Sequence, residues 1–439
     1  MPDKHRVEAN VIVVGTGPGG AIVARELARA GKQVLILEKG QDYRTHSLFG
    51  TSWTPLIALE GHKPTFTDDG VMFLRPHLVG GLSAFSAGSA DEPPAWLARR
   101  YGIDIHAEVQ ETIEELGIAP LPESLRGRAS TRIAEAAGEL GYTWTPQAKF
   151  MTPKRGPVEQ CGAHCLLGCT CGARWTAANA VDDAVQAGAR LLTGVHISRV
   201  LVEDGHVIGV QGHRGGRPFH AYSPVVVLAA GAVGTPRILH ESGFPEAGLA
   251  FSAGLSVAVY GETSEEVHME QDPPMTWTWR GPDERYALTT FIEPRVYYLF
   301  HAWHQGPGHL LHMPDWHRML GILLILKDDL SGGIYPDGRV LKPLTLADRE
   351  RLQTGVRLAS RILLQAGARE GTLRASIPRA IFPGASVRVD FLVNSRLETE
   401  IEELYVCDAS VFPEGLARAP ILTIIGLGKR LARQLLTSL

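Results

Sequence analysis

Residues 9–38 read ANVIVVGTGPGGAIVARELARAGKQVLILE, and this stretch decides the fold. Ala9 to Val14 is a short apolar run, rich in β-branched residues and bounded by glycine, which predicts a strand covered on both faces. Gly15, Gly17 and Gly20 follow at GxGxxG spacing, with Pro18 in the turn that opens a helix, and AIVARELARAG repeats its apolar residues at helical period. A second strand, QVLILE, ends in Glu38. Each part has a mechanical role. Gly15 permits the tight turn, Gly17 lets the backbone approach a pyrophosphate at the helix N-terminus, and Gly20 allows helix to pack closely on strand. Glu38 accepts hydrogen bonds from an adenosine ribose. Strand, glycines, helix, strand and acid in this order point to a dinucleotide far more specifically than the glycines alone. The plainer alternative is an unliganded βαβ unit whose glycines serve packing.

The rest of the chain bounds this reading. At 439 residues two domains are expected. Hydrophobic content of 44%, charged content of 21% and 48 glycines describe a turn-rich globular protein. A net charge of -4 offers no basic stripe for a phosphate backbone, which argues against a nucleic-acid partner. No apolar run is long enough to span a bilayer, and MPDKHRVEAN shows no charged-then-apolar leader, so a cytoplasmic location is expected. Four of the five cysteines crowd into residues 161–171, unlike a disulfide framework.

Two later segments separate FAD from NAD. AGARLLTGVHISRV, residues 187–200 with Val195 among them, reads as a helix end and a strand, followed by a hairpin around Glu203-Asp204-Gly205. SPVVVLAAGAVGTPRIL then gives another buried strand that runs through Ala230 and Gly231 into a helix. LYVCDASVFP is a third return, with Asp408 and Ala409 just past a strand, where they reach toward the ribityl and pyrophosphate of a flavin.

At this point the chain resembles the glucose-methanol-choline (GMC) oxidoreductases. VGGLSAFSAG, Val79 to Gly88, with Gly80, Gly81 and Ser83, is similar to the family's first glycine-rich signature. GAVGTPRILHESG, Gly231 to Gly243, fits most of the second, with Phe244-Pro245 departing from an aliphatic-Gly pair. LYVCDASVFPEGLARAPILTIIGLGKRLA resembles the closing segment, where Pro420 and Ile421 open a helix facing the flavin O2 and N1. The resemblance runs from Asn10 to about Ala432 and implies a Rossmann-like FAD-binding domain, an α/β fold (α+β overall), and a trimmed substrate domain. Residues 1–245 and 384–439 would bind FAD, with a helical insertion at about 91–154 and a cysteine-rich loop at 161–173. Residues 246–383 would form an antiparallel sheet backed by helices. Phe85 stands where some members carry the histidine that links flavin covalently, which implies non-covalent FAD.

The family's proton-accepting histidine has no counterpart. In SIPRAIFPGASVRVD, Phe382 takes that position, and Ala419 falls at the second. No histidine lies between Gly371 and Leu439. The base therefore comes from elsewhere, or alcohol oxidation is lost. HAWHQGPGHLLHMPDWH places His301, His304, His309, His312 and His317 within seventeen residues. His301 and His304, which follow the strand-like RVYYLF, are the candidate catalytic residues, against the plainer reading of exposed or cavity-lining histidines. Trp277, Trp279, Tyr297, Tyr298 and Trp303 are candidates for an apolar pocket, against simple core packing.

CGAHCLLGCTCGAR sets Cys161, Cys165, Cys169 and Cys171 beside His164. Thiolates at this density bind an iron–sulfur cluster or zinc, or remain bare thiols in a tight loop. The sequence as a whole reads as an FAD-dependent oxidoreductase, a dehydrogenase rather than an oxidase. It would take a hydride from a CH–OH or activated C–H position of an apolar or aromatic small molecule. Electrons would pass to a non-nicotinamide acceptor, such as an electron-transfer protein or a quinone. The alternatives are an FAD-containing electron-transfer or assembly subunit, and base-free flavin chemistry, including light-driven chemistry.

Overall fold

A computed structural model describes residues 7–306 and 314–438. The strand Val11–Val14 is buried along its whole length and sits in the middle of a five-stranded parallel sheet. It pairs with Val34–Leu37 on one side and Val225–Leu228 on the other, each in unbroken register. Leu404–Val406 and Arg190–Leu192 close the two edges. Uninterrupted Val, Ile and Leu suit strands covered on both faces. The helix Pro18–Arg29 packs against Ala177–Gln186 and Ile421–Ser438. An antiparallel meander, Val195–Glu203, His206–Arg214 and Arg217–Tyr222, adds a second, four-stranded sheet that also pairs with Val7–Glu8.

The second half is a nine-stranded sheet centred on Leu255–Glu262, Met319–Leu326 and Tyr286–Thr290, paired antiparallel. Met319–Leu326 is wholly buried because the helix Leu346–Gln365 covers it, packing Leu352, Leu358, Ile362 and Leu363 into the same apolar core. That helix opens with a reciprocal cap between Thr345 and Asp348. The expected division at residue 246 is not clean. Thr65–Phe66, Met72–Phe73 and Thr145–Pro146 come from the first half of the chain and pair into this sheet.

RVYYLF is not a strand. It is the start of a helix, Arg295–Gln305. Its aromatic and β-branched residues carry strand propensity, but Pro294 occupies the N-cap position and Tyr297, Tyr298, His301 and Ala302 form one buried helical face. Tertiary packing outweighs propensity here. His309 and His312 lie outside the described residues. Among the described residues no helix is long and apolar enough to cross a membrane.

Candidate functional site

Between the two sheets lies a cavity of about 600 Å³ whose wall includes residues from the N-terminal glycine turn, the strand-to-helix turn at 229–234, the closing segment and the substrate sheet. Of the residues expected to touch the cofactor, Gly15, Gly17, Pro18, Glu38, Gly81, Ser83, Val195, Ala230, Gly231, Asp408, Ala409, Pro420 and Ile421 all line it. Gly20 and Gly80 do not; they stand behind the wall, packed on Gly15 and Ala178 respectively.

The glycine turn fits a pyrophosphate. Gly15 has φ of +103°, and a Cβ there would lie 2.3 Å from the Ala229 carbonyl oxygen. Only glycine can make that turn. At Gly17, by contrast, a Cβ would meet nothing within 4 Å, so the backbone faces open space. Gly17 precedes the helix and offers no side-chain cap. The first backbone N–H groups of that helix, with the positive end of its dipole, are thus suited to a phosphate.

Two buried carboxylates hold this cradle together. Glu38 Oε2 accepts from the Thr16 N–H (3.1 Å) and hydroxyl (2.5 Å), and Oε1 accepts from the Gly40 N–H (2.8 Å). The Thr16 hydroxyl oxygen in turn accepts from the Gly80 N–H (3.0 Å), tying the two glycine-rich segments together. Asp408 Oδ2 accepts from the Gly231 N–H (2.8 Å) and the Thr235 hydroxyl (2.6 Å), while Oδ1 accepts from the Ser410 N–H (2.8 Å). Burial pushes both carboxyls above their ordinary range, against the pull of these donors.

The opposite wall belongs to the substrate sheet and is mostly apolar. Met275, Phe291, Leu323, Ile381 and Phe382 line it, and Ala419 closes it beside Pro420. Neither Phe382 nor Ala419 can accept a proton. The histidines that line the cavity are His77 and His196, beside Lys39, and burial together with the Lys39 charge brings His77 down to about 4.

His301 and His304 are not on the cavity wall. His304 is exposed, with its ring against Phe66 and Phe300. His301 is buried one layer back, with Nε2 3.2 Å from Glu293 Oε2. Glu293 itself lines the cavity. Burial alone would raise it, but the Arg379 charge and the His301 and Tyr260 hydrogen bonds bring it down to about 2. Of the five aromatic candidates only Tyr297 lines the cavity; Tyr298 packs on Tyr260 and Trp316, and Trp303 is 63% exposed. His317 pairs with Glu270 at the surface.

Glu293 and Arg379 were not singled out from sequence. They come from separate strand regions, and the available signal was a charged residue inside an apolar pattern, in YALTTFIE and in SIPRAIF.

The cysteines form a small core of their own. Cys161 and Cys165 are buried with Leu121, Met151 and Val158. Cys171 Sγ lies 3.9 Å from the sulfurs of both Cys161 and Cys169. Among the described residues, the three donor atoms that lie within 4.8 Å of one another in a metal-type group are those of His268, Glu270 and His317, not the sulfurs.

Comparison with known proteins agrees with this architecture. Residues 97–256 match the family model for GMC oxidoreductase, and residues 8–47 match that for an FAD binding domain. An uncharacterized GMC-type oxidoreductase of Mycobacterium tuberculosis is 28% identical over 301 residues, covering 65% of this chain and 46% of the relative. A long-chain-alcohol oxidase of Arabidopsis thaliana is 25% identical over 442 residues, covering 91% of this chain and 57% of the relative. The chain thus spans about half the length of these curated relatives. The crystal structure of pyridoxine 4-oxidase from Mesorbium loti superposes with a TM-score of 0.69 at 16% identity, covering 97% of this chain and 99% of that one, which shows a shared fold. With a cradle that fits FAD and these matches across both halves, the comparisons support a place for the chain among the GMC oxidoreductases.

Proposed function

We propose that this protein uses non-covalently held FAD to oxidise an apolar small molecule at a CH–OH or activated C–H position, passing electrons to an acceptor other than nicotinamide. The observation that carries the reading is the single cavity that joins the glycine cradle to the apolar wall of the substrate sheet. Bound FAD supplies the hydride acceptor. Gly15 to Pro18 receive its pyrophosphate, Glu38 its ribose, and Asp408 with the helix at Pro420 fixes the segment facing its ring. Phe85 is no nucleophile, which supports a non-covalent cofactor. Phe382 and Ala419 exclude water without taking a proton.

Proton handling falls to Glu293, backed by His301, in place of a histidine acting directly from the wall. A carboxylate brought down to about 2 is a weak base at neutral pH. This favours a substrate whose C–H is already activated over a simple alcohol. The chain resembles oxidases, so molecular oxygen stands beside a protein or quinone as its electron acceptor.

The test is anaerobic titration of the purified holoprotein with medium-chain alcohols, aldehydes and benzylic compounds, followed by flavin absorbance. Bleaching by at least one class is the expected result. No bleaching by any of them, with reduction only by a protein donor, would replace this reading with that of an electron-transfer subunit.

A further inference from the structure

We propose that the side-chain N–H of Arg379 at Nε and the hydroxyl of Tyr297 form a recognition site for one neutral oxygen, hydroxyl or carbonyl, on an otherwise apolar substrate. The inference rests on the function proposed above only in taking this cavity as the place where substrate lies.

Arg379 and Tyr297 both line the cavity, and both are buried, at 6% and 7% exposure. Each carries a polar atom without a hydrogen-bond partner, Nε of Arg379 and the hydroxyl of Tyr297. Orphaned buried donors are rare because folding strips them of water without replacing it. Two on the wall of one cavity are what a site left for a ligand acceptor would show.

The arginine is held in place for this role. Its Nη1 donates to Glu293 Oε2 at 2.5 Å and its Nη2 to Ser376 Oγ at 3.3 Å. The guanidinium also lies over the Phe291 ring at 5.7 Å. A guanidinium donates and never accepts, so the unpartnered Nε–H calls for an acceptor that the surrounding side chains do not supply.

Charge selects the kind of oxygen. Glu293 is buried and ionised, and it already compensates Arg379. A ligand carboxylate would add a second negative charge beside Glu293 in a desolvated space, which is costly. A hydroxyl or carbonyl oxygen accepts the two donors without that penalty. The surrounding Met275, Phe291, Leu323 and Phe382 call for an apolar remainder. Arg379 and Tyr297 are therefore substrate-positioning residues in this reading.

The experiment measures binding to the holoprotein from the perturbation of flavin absorbance, with decane, decan-1-ol, decanal and decanoate as probes. The alcohol and aldehyde should bind at least about tenfold more tightly than either the alkane or the carboxylate. Tyr297→Phe removes only the hydroxyl and should erase about tenfold of that preference while FAD content, thermal midpoint and decane affinity stay unchanged. Arg379→Lys keeps the charge but not the Nε–H, and where it retains FAD it should show the same loss. Equal binding of all four probes, tightest binding of decanoate, no binding of any, or an unaltered preference in Tyr297→Phe overturns the proposal. The two readings fail separately. If the binding preference holds but no compound reduces the flavin, oxidation falls and recognition stands. If flavin reduction proceeds equally in wild type and Tyr297→Phe with no binding difference, recognition falls and oxidation stands.

Discussion

The two walls of the cavity are built in different ways. The nucleotide wall is largely backbone: glycines at short spacing, a helix N-terminus, and two carboxylates that knit its loops together. The substrate wall is side chain: an apolar sheet face with one buried ion pair, Glu293–Arg379, whose members stand 86 residues apart. A backbone surface tolerates almost no change where the chain turns tightly. It is indifferent to side-chain identity only where a ligand, rather than the protein, occupies the space. A side-chain surface can be altered one group at a time and still hold its shape, provided that no charge is left unpaired.

The largest effect should separate two glycines of the same motif. Gly15→Ala places a Cβ against the Ala229 carbonyl in a left-handed conformation and should leave little folded protein. Gly17→Val enters open space, so the apoprotein should melt as the wild type does while FAD affinity falls by about a hundredfold or more. The check is the melting curve together with the ratio of flavin to protein. A Gly17→Val protein that keeps its FAD would remove the cradle from the nucleotide wall.

Breaking the ion pair is the corresponding test of the substrate wall. Arg379→Leu strands a buried carboxylate and should cost about 3–5 kcal/mol in denaturant unfolding. The pH dependence has a definite sign. Glu293 is held at about 2 against an ordinary 4.5, so its contribution is fully present above pH 4.5 and is lost as pH falls toward 2. That loss is on the order of 3 kcal/mol. Glu293→Gln should be less stable at neutral pH, and its stability should fall less between pH 4.5 and 2. An acid limb identical to the wild type would show that the pair does not govern this wall.

The smallest effect is expected where neither wall is touched. Cys169 is only half-buried, and Cys169→Ser should change stability by no more than about 0.5 kcal/mol. Protein prepared without oxygen should contain neither iron nor acid-labile sulfide. Stoichiometric iron, or flavin reduction kinetics altered by Cys169→Ser, would join the cysteines to the redox site.

Much of the nucleotide half was legible because its chemistry is local. A turn that needs φ of +103° needs Gly15 whatever the rest of the chain does, and a strand covered on both faces needs a run such as VIVV. The thirteen cavity-lining residues expected around the cofactor come from segments that their own turn and strand patterns mark, although contacts such as Gly80 to Thr16 and Gly231 to Asp408 join those segments across the chain. The sequence alone also determined that Phe382 and Ala419 could not replace a histidine. The tertiary structure decided the rest. Arg295–Gln305 is a helix rather than a strand because its apolar face meets a core made by other strands, and that rotation turns His301 away from the cavity and Tyr297 toward it. Glu293, Tyr260, His301 and Arg379 have no spacing that announces them. Their meeting depends on strand register and on the energetic demand that a charge taken out of water find its partner, and neither acts between neighbours in sequence.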